Sequence, residues 1–205
     1  PAFKLPTRKG ASQLQTLSVP LSAQGLSPVS LTGLQASLTG SGFELVAAGG
    51  TPNRSLTDRK PQSNTPGSAG RTPAAPIAPG APIGASIMRG DINVTAIGTV
   101  TMVEKGRVYA FGHPFMGFGS VNFPMSTAAI LNTLATPAGS YKQGLAAREV
   151  GSITQDRLTM IGGELGGVAP MVPAVIRAQD GYGADVTNVE IVHDPMWLPL
   201  MLENA

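Results

Sequence analysis

Residues 92–111, INVTAIGTVTMVEKGRVYAF, decide the fold. Ile92, Val94 and Ala96 alternate with polar neighbours, Val100 and Met102 continue beyond Gly98, and Val108 and Ala110 return after Lys105-Gly106. A period of two on either side of a Lys-Gly turn predicts a β-hairpin with a preceding strand. Further strands are expected around Tyr141-Lys142 and over 151–154, 158–161, 172–176 and 186–192, joined mostly by Gly-rich turns. The expected class is therefore mainly β, a barrel or sandwich with short peripheral helices. One helix is predicted over 128–134, capped by Ser126 or Thr127 and closed by Pro137. A second is predicted at the end of the chain, where Asp194 caps, Pro195 takes the first helical position and Met196-Trp197-Leu198 follows.

Composition agrees with that class. Charged residues are 13% of the 205, and Gly (26) and Pro (18) together take about twice their usual share. Such a chain is no helical bundle, because Gly and Pro concentrate at turns and bulges. The absence of Cys excludes disulfide frameworks, thiolate metal sites and cysteine nucleophiles. With two His residues no metal site is expected, and no cofactor motif occurs: the Gly162–Gly167 run lacks the Lys-Ser/Thr ending of a phosphate loop. A net charge of +2 gives no nucleic-acid footprint. No apolar run reaches the ~18 residues that span a bilayer. The chain begins at Pro1 without an initiator Met, which points to an upstream segment.

Three blocks follow from composition along the chain. Residues 1–50 form a small β-α-β connecting element: a strand at 17–21, a helix after Pro28 with Leu31, Leu34 and Leu38 on one stripe, and a strand at 43–46. It offers no core of its own and should dock on something larger. Residues 51–82 hold seven Pro, three Gly and no aromatic residue, which reads as an extended linker or a surface-wrapping strand. Residues 83–205 form the β-rich region.

The segment Phe111-Gly112-His113-Pro114-Phe115-Met116-Gly117-Phe118-Gly119 places an imidazole at a strand end among three Phe and one Met. Apolar surroundings favour the uncharged ring that a general base requires. Gly112, Pro114 and Phe115 flank it as candidate substrate-binding residues. Two readings stand: a general base at a sheet rim, or a structural histidine in an aromatic corner. Downstream, Gly151-Ser152-Ile153-Thr154-Gln155-Asp156-Arg157 sets a hydroxyl, a carboxylate and a guanidinium within seven positions. Asp156 is the first candidate to orient His113 and Asp91 the second. Otherwise Asp156 and Arg157 form a turn with a local ion pair. Ser152 lacks the flanking glycines of a sharp nucleophile turn.

The ordered series Gly90-Asp91, Gly98-Thr99-Val100-Thr101, Ala110-Phe111-Gly112-His113-Pro114-Phe115, Ser140-Tyr141-Lys142, Gly151-Ser152-Ile153-Thr154-Gln155-Asp156-Arg157 and Ile161-Gly162-Gly163 resembles the SpoIVB-type serine peptidase family over about residues 80–178. Residues 16–50 are similar to the connecting region that precedes the His half in the long, permuted members. The resemblance implies a chymotrypsin-like β-barrel peptidase, periplasmic or secreted, acting on protein, with His113 as general base. The family's Gly-x-Ser-Gly-Ser-Pro nucleophile motif occurs nowhere in these residues. The expectation is thus a His-bearing portion, inactive alone, whose serine comes from an upstream segment or another chain. The alternative is a non-catalytic structural or interaction subunit of an envelope complex. The Pro-rich segment and the apolar end Met196–Leu202 would then lie on a partner protein.

Overall fold

The computed structural model describes residues 18–48, 76–136, 139–180 and 183–205. The hairpin of 92–111 is present as β4 (Asn93–Glu104) and β5 (Arg107–Ala110), turning at Lys105 and Gly106, both at positive φ. Residues 93–96 are not a separate strand but the start of β4. Before it runs β3 (Pro82–Gly90), and after it β6 (Gly119–Thr136), β7 (Gly139–Arg157) and β8 (Met160–Leu165).

These six strands close on themselves. β3 pairs with β4, β4 with β5, β5 with β8, β8 with β7, β7 with β6, and β6 with β3, every pairing antiparallel. Closure removes free edges from the ring and lets one face of each strand share an apolar interior. Ile83, Ala96, Val108, Met125, Ile153 and Ile161 are all buried.

The ring carries a wing on each side. β1 (Val19–Gln24) joins the first half of β4 antiparallel, and β2 (Phe43–Ala47) joins β1 in parallel. α1 (Pro28–Ser37) connects them; Ser27 Oγ accepts from Ser30 N at 3.0 Å, Pro28 opens the helix, and Leu34 and Leu38 are buried. The small β-α-β element therefore gains its core by extending a sheet it could not build alone. On the other side β10 (Gly183–Val192) pairs with β3, and β9 (Met171–Asp180) with β10. The Pro-rich linker lies mostly outside the described residues; at its end Ile77 and Ala81 pack against the core.

Two sequence expectations need correction. Residues 128–134 are not helical but the outer part of β6, with Ala128 opposite Ala146 and Ala129 opposite Leu145 on β7. Helix propensity is a weak prior, and a partner strand of matching length supplies ladder bonds that the local sequence does not announce. The strands expected at 141–142 and 151–154 are likewise one continuous β7. Gly162 and Gly163 lie within β8.

The apolar end is core. α2 (Trp197–Asn204) begins two residues after Pro195, with Asp194 Oδ1 accepting from Met196 N at 2.9 Å and Trp197 N at 3.1 Å. Trp197 and Met201 are fully buried. The Trp197 ring stacks on Phe115 and meets Phe43 edge-on. Trp197→Ala should therefore destabilise the chain by about 3–5 kcal/mol, read as a lower urea midpoint at unchanged slope. A shift below about 1 kcal/mol would show that α2 is an appendage rather than part of the core.

Candidate functional site

The site is the loop from Phe111 to Phe118 between β5 and β6. Its first rung is ordinary sheet: Phe111 donates its N–H to Thr99 O at 2.9 Å. Phe111 then takes φ 74° and Gly112 φ 75°, two left-handed residues in succession, which throw the chain off the sheet. The left-handed conformation costs a non-glycine residue about 1–2 kcal/mol. Packing holds Phe111 there, because its ring lies against Gly98, where a Cβ would stand 2.2 Å from a ring carbon.

Two anchors fix the rest of the loop. Phe115 is 4% exposed and its ring meets Phe43, Phe111, Phe123 and Trp197. Asp156, near the end of β7, is 0% exposed. Its Oδ1 accepts from Phe115 N at 2.8 Å, and its Oδ2 from Met116 N at 2.6 Å and Gly117 N at 2.7 Å. Trp197 adds a bond from Nε1 to Met116 Sδ at 3.0 Å. Successive backbone amides converging on one anion form a nest, here satisfied by the protein's own carboxylate.

His113 stands on this anchored loop with its ring exposed. Nδ1 lies 2.7 Å from Pro114 O, and the ring centroid is 5.5 Å from that of Phe111. A carbonyl oxygen only accepts, so the contact assigns the proton of the neutral ring to Nδ1 and leaves the lone pair on Nε2. Among the described residues nothing bonds to Nε2.

The predicted partners are placed differently. Asp156 spends its oxygens on loop amides and not on the imidazole. Asp91 Oδ2 accepts from Asn188 N at 2.7 Å and so ties the β3–β4 turn to β10. The Asp156–Arg157 turn pair is absent, since the Arg157 guanidinium donates to Gln155 Oε1. Ser152 is buried in mid-strand, with Gly167 close against its hydroxyl. Of the three flanking residues named for substrate, Gly112 is exposed and Pro114 is half-buried. Phe115 is buried in the aromatic cluster, its ring against Phe43, Phe111, Phe123 and Trp197.

Sequence reasoning passed over Thr99 and Lys142 as functional residues. Lys142 Nζ donates to Thr99 Oγ1 at 2.7 Å, directly beside the rung that launches the loop. It also passed over the Trp197–Met116 bond. Neither carries a local signal, since each joins residues far apart in the chain. No group of three or more His, Asp or Glu side chains among the described residues is placed to hold a metal.

Asp156→Asn keeps the shape but loses the charge and turns an N–H donor toward amide donors. It should cost about 3 kcal/mol and speed hydrogen exchange at Phe115, Met116 and Gly117 selectively. Unchanged exchange at those amides would show that the carboxylate does not hold the loop.

Comparisons with protein-family models, with curated proteins and with solved structures return no match.

Proposed function

We propose that the chain is the His-bearing part of a SpoIVB-like serine peptidase acting on protein substrates in an exported compartment, with His113 as the general base. One observation carries the reading: an exposed imidazole, on a loop anchored from beneath, with Nδ1 bonded to a carbonyl and Nε2 left without a partner among the described residues. That is the tautomer which removes a proton from a hydroxyl. The closed six-stranded antiparallel ring supports the reading as well. In ring order it runs β3, β4, β5, β8, β7, β6, with the imidazole leaving the third strand in sequence and the buried carboxylate ending the fifth, an arrangement that suits a chymotrypsin-like barrel.

In this mechanism Nε2 takes the proton of a serine hydroxyl as its oxygen attacks the scissile carbonyl carbon. Pro114 O accepts from Nδ1–H throughout, and the imidazolium then protonates the leaving amine. Asp156 is a positioning residue, acting through the loop. The serine must come from outside these 205 residues, which hold no Gly-x-Ser-Gly-Ser-Pro motif.

A specific observation favours the second reading, a non-catalytic interaction subunit: Asp156 grips the backbone where a triad acid would grip the ring. One variant separates the two. In the full chain as encoded, His113→Ala should lower kcat/KM on a protein substrate by at least about 10³-fold. Because the ring is exposed, the melting temperature should stay within about 2 °C. Turnover unaffected by the substitution sinks the peptidase reading, as does failure of the full chain to react with a fluorophosphonate.

A further inference from the structure

Beyond the ring, β6 and β7 continue as a two-stranded arm that folds back over the β1–β2 wing. Gln143 donates its side-chain amide to Ala47 O, and Gly144 N lies 3.5 Å from Ser22 Oγ. Between arm and ring stands Lys142, half-buried, opposite Thr133 in the hairpin register and bonded to half-buried Thr99 on β4. Thr99 O holds Phe111 N, and Phe111 is ring to ring with His113. The arm thus brings a cation and a hydroxyl to the base of the loop that presents the imidazole.

The charge of Lys142 is unanswered by the described residues. Among the described residues its ammonium meets no carboxylate, whereas Arg89 is paired with both Glu149 and Glu190. Lysines drawn out of water are ordinarily paired, because desolvating a cation without an anion is unfavourable. An ammonium has three donors, and Thr99 takes one. Having accepted, the Thr99 hydroxyl still has its own O–H to donate. A point charge with hydroxyl support, and no carboxylate beside it among the described residues, matches a carboxylate.

We propose that Lys142 and Thr99 form a carboxylate-binding subsite beside His113, which holds the C-terminal carboxylate or an acidic side chain of a peptide lying along the loop. The inference rests on the reading above only in placing a peptide at this rim, and it requires no cleavage. The competing account is a strut, with Lys142 merely tying the arm to the ring. Lys142→Gln discriminates, since its amide can still donate to Thr99 but carries no charge.

The full chain, immobilised, is offered three pools of random octapeptides: free C-termini with Asp and Glu excluded, amidated C-termini with Asp and Glu included, and amidated C-termini with both excluded. At low salt, retention of one or both carboxylate-bearing pools should exceed that of the carboxylate-free pool by about tenfold, the preferred pool naming the source. Lys142→Gln should abolish the preference, and Lys142→Arg should keep most of it. His113→Ala should leave the preference intact, so that loss of turnover in that variant with unchanged retention separates the base from the subsite. Equal retention of all pools by the wild type overturns the proposal without recourse to any variant. A preference that survives Lys142→Gln overturns it too.

Discussion

The buried carboxylate of Asp156 is the constraint on which the functional end of the molecule depends. Taking an ionised carboxylate out of water with no countercharge is unfavourable by several kcal/mol, of the order found for single buried ions. Three amides at 2.6–2.8 Å replace the lost hydration. The dependence runs both ways, because Phe115, Met116 and Gly117 lie in irregular backbone with no ladder to receive their N–H groups, and buried amides must be satisfied. A strand end and a loop about forty residues earlier in the chain are therefore each unfavourable without the other. The result is a rigid platform whose upper surface carries His113.

Apolar packing ties the same platform to the ends of the described chain. Phe115 comes from the loop, Phe43 from β2, Phe123 from β6 and Trp197 from α2, and their rings meet edge-on or stacked. Aromatic pairs add roughly 0.5–1.5 kcal/mol each to their area burial. The β1–α1–β2 wing and the C-terminal helix thus contribute directly to loop position. The outer strand of that wing is also guarded: Leu45 N donates to Gln35 Oε1 at 2.8 Å, and Ala47 O accepts from Gln143. Side-chain amides there occupy main-chain groups that an exposed edge would offer to another strand.

What was legible in the sequence was local. The hairpin at 92–111 follows from alternation around a Lys-Gly turn, α1 from Pro28 and the leucine stripe, and the entry to α2 from Asp194. The outer half of β6 was not legible, because its partner on β7 overrides the helical preference of Ala and Leu from across the arm. Ring closure lies in pairings of distant segments. His113 stood out by its setting, yet the role of Asp156 was misread for a physical reason. Its partners are backbone amides, which every residue but proline has and which leave no mark in a sequence. An acid partner for the ring is the natural guess when only side chains can be seen.

The partner that Nδ1 does have separates two jobs which a catalytic carboxylate performs together. One is to fix the tautomer, and a carbonyl does this as well as a carboxylate, since either accepts from Nδ1–H and leaves the Nε2 lone pair free. The other is to stabilise the imidazolium once the proton has arrived, and a neutral carbonyl does this less well, a charge-assisted bond being roughly twice as strong. In the proposed role of base, His113 would be oriented through Nδ1 and supported by a dipole where an acid would supply a full charge. The transferred proton then relies on the developing negative charge of substrate and nucleophile opposite it. Exposure adds to this, because water screens the imidazolium until something covers the rim. A peptide laid across the loop would exclude that water and bring the reacting charges close. On this geometry, binding of the proposed substrate would itself be part of what makes His113 an effective base.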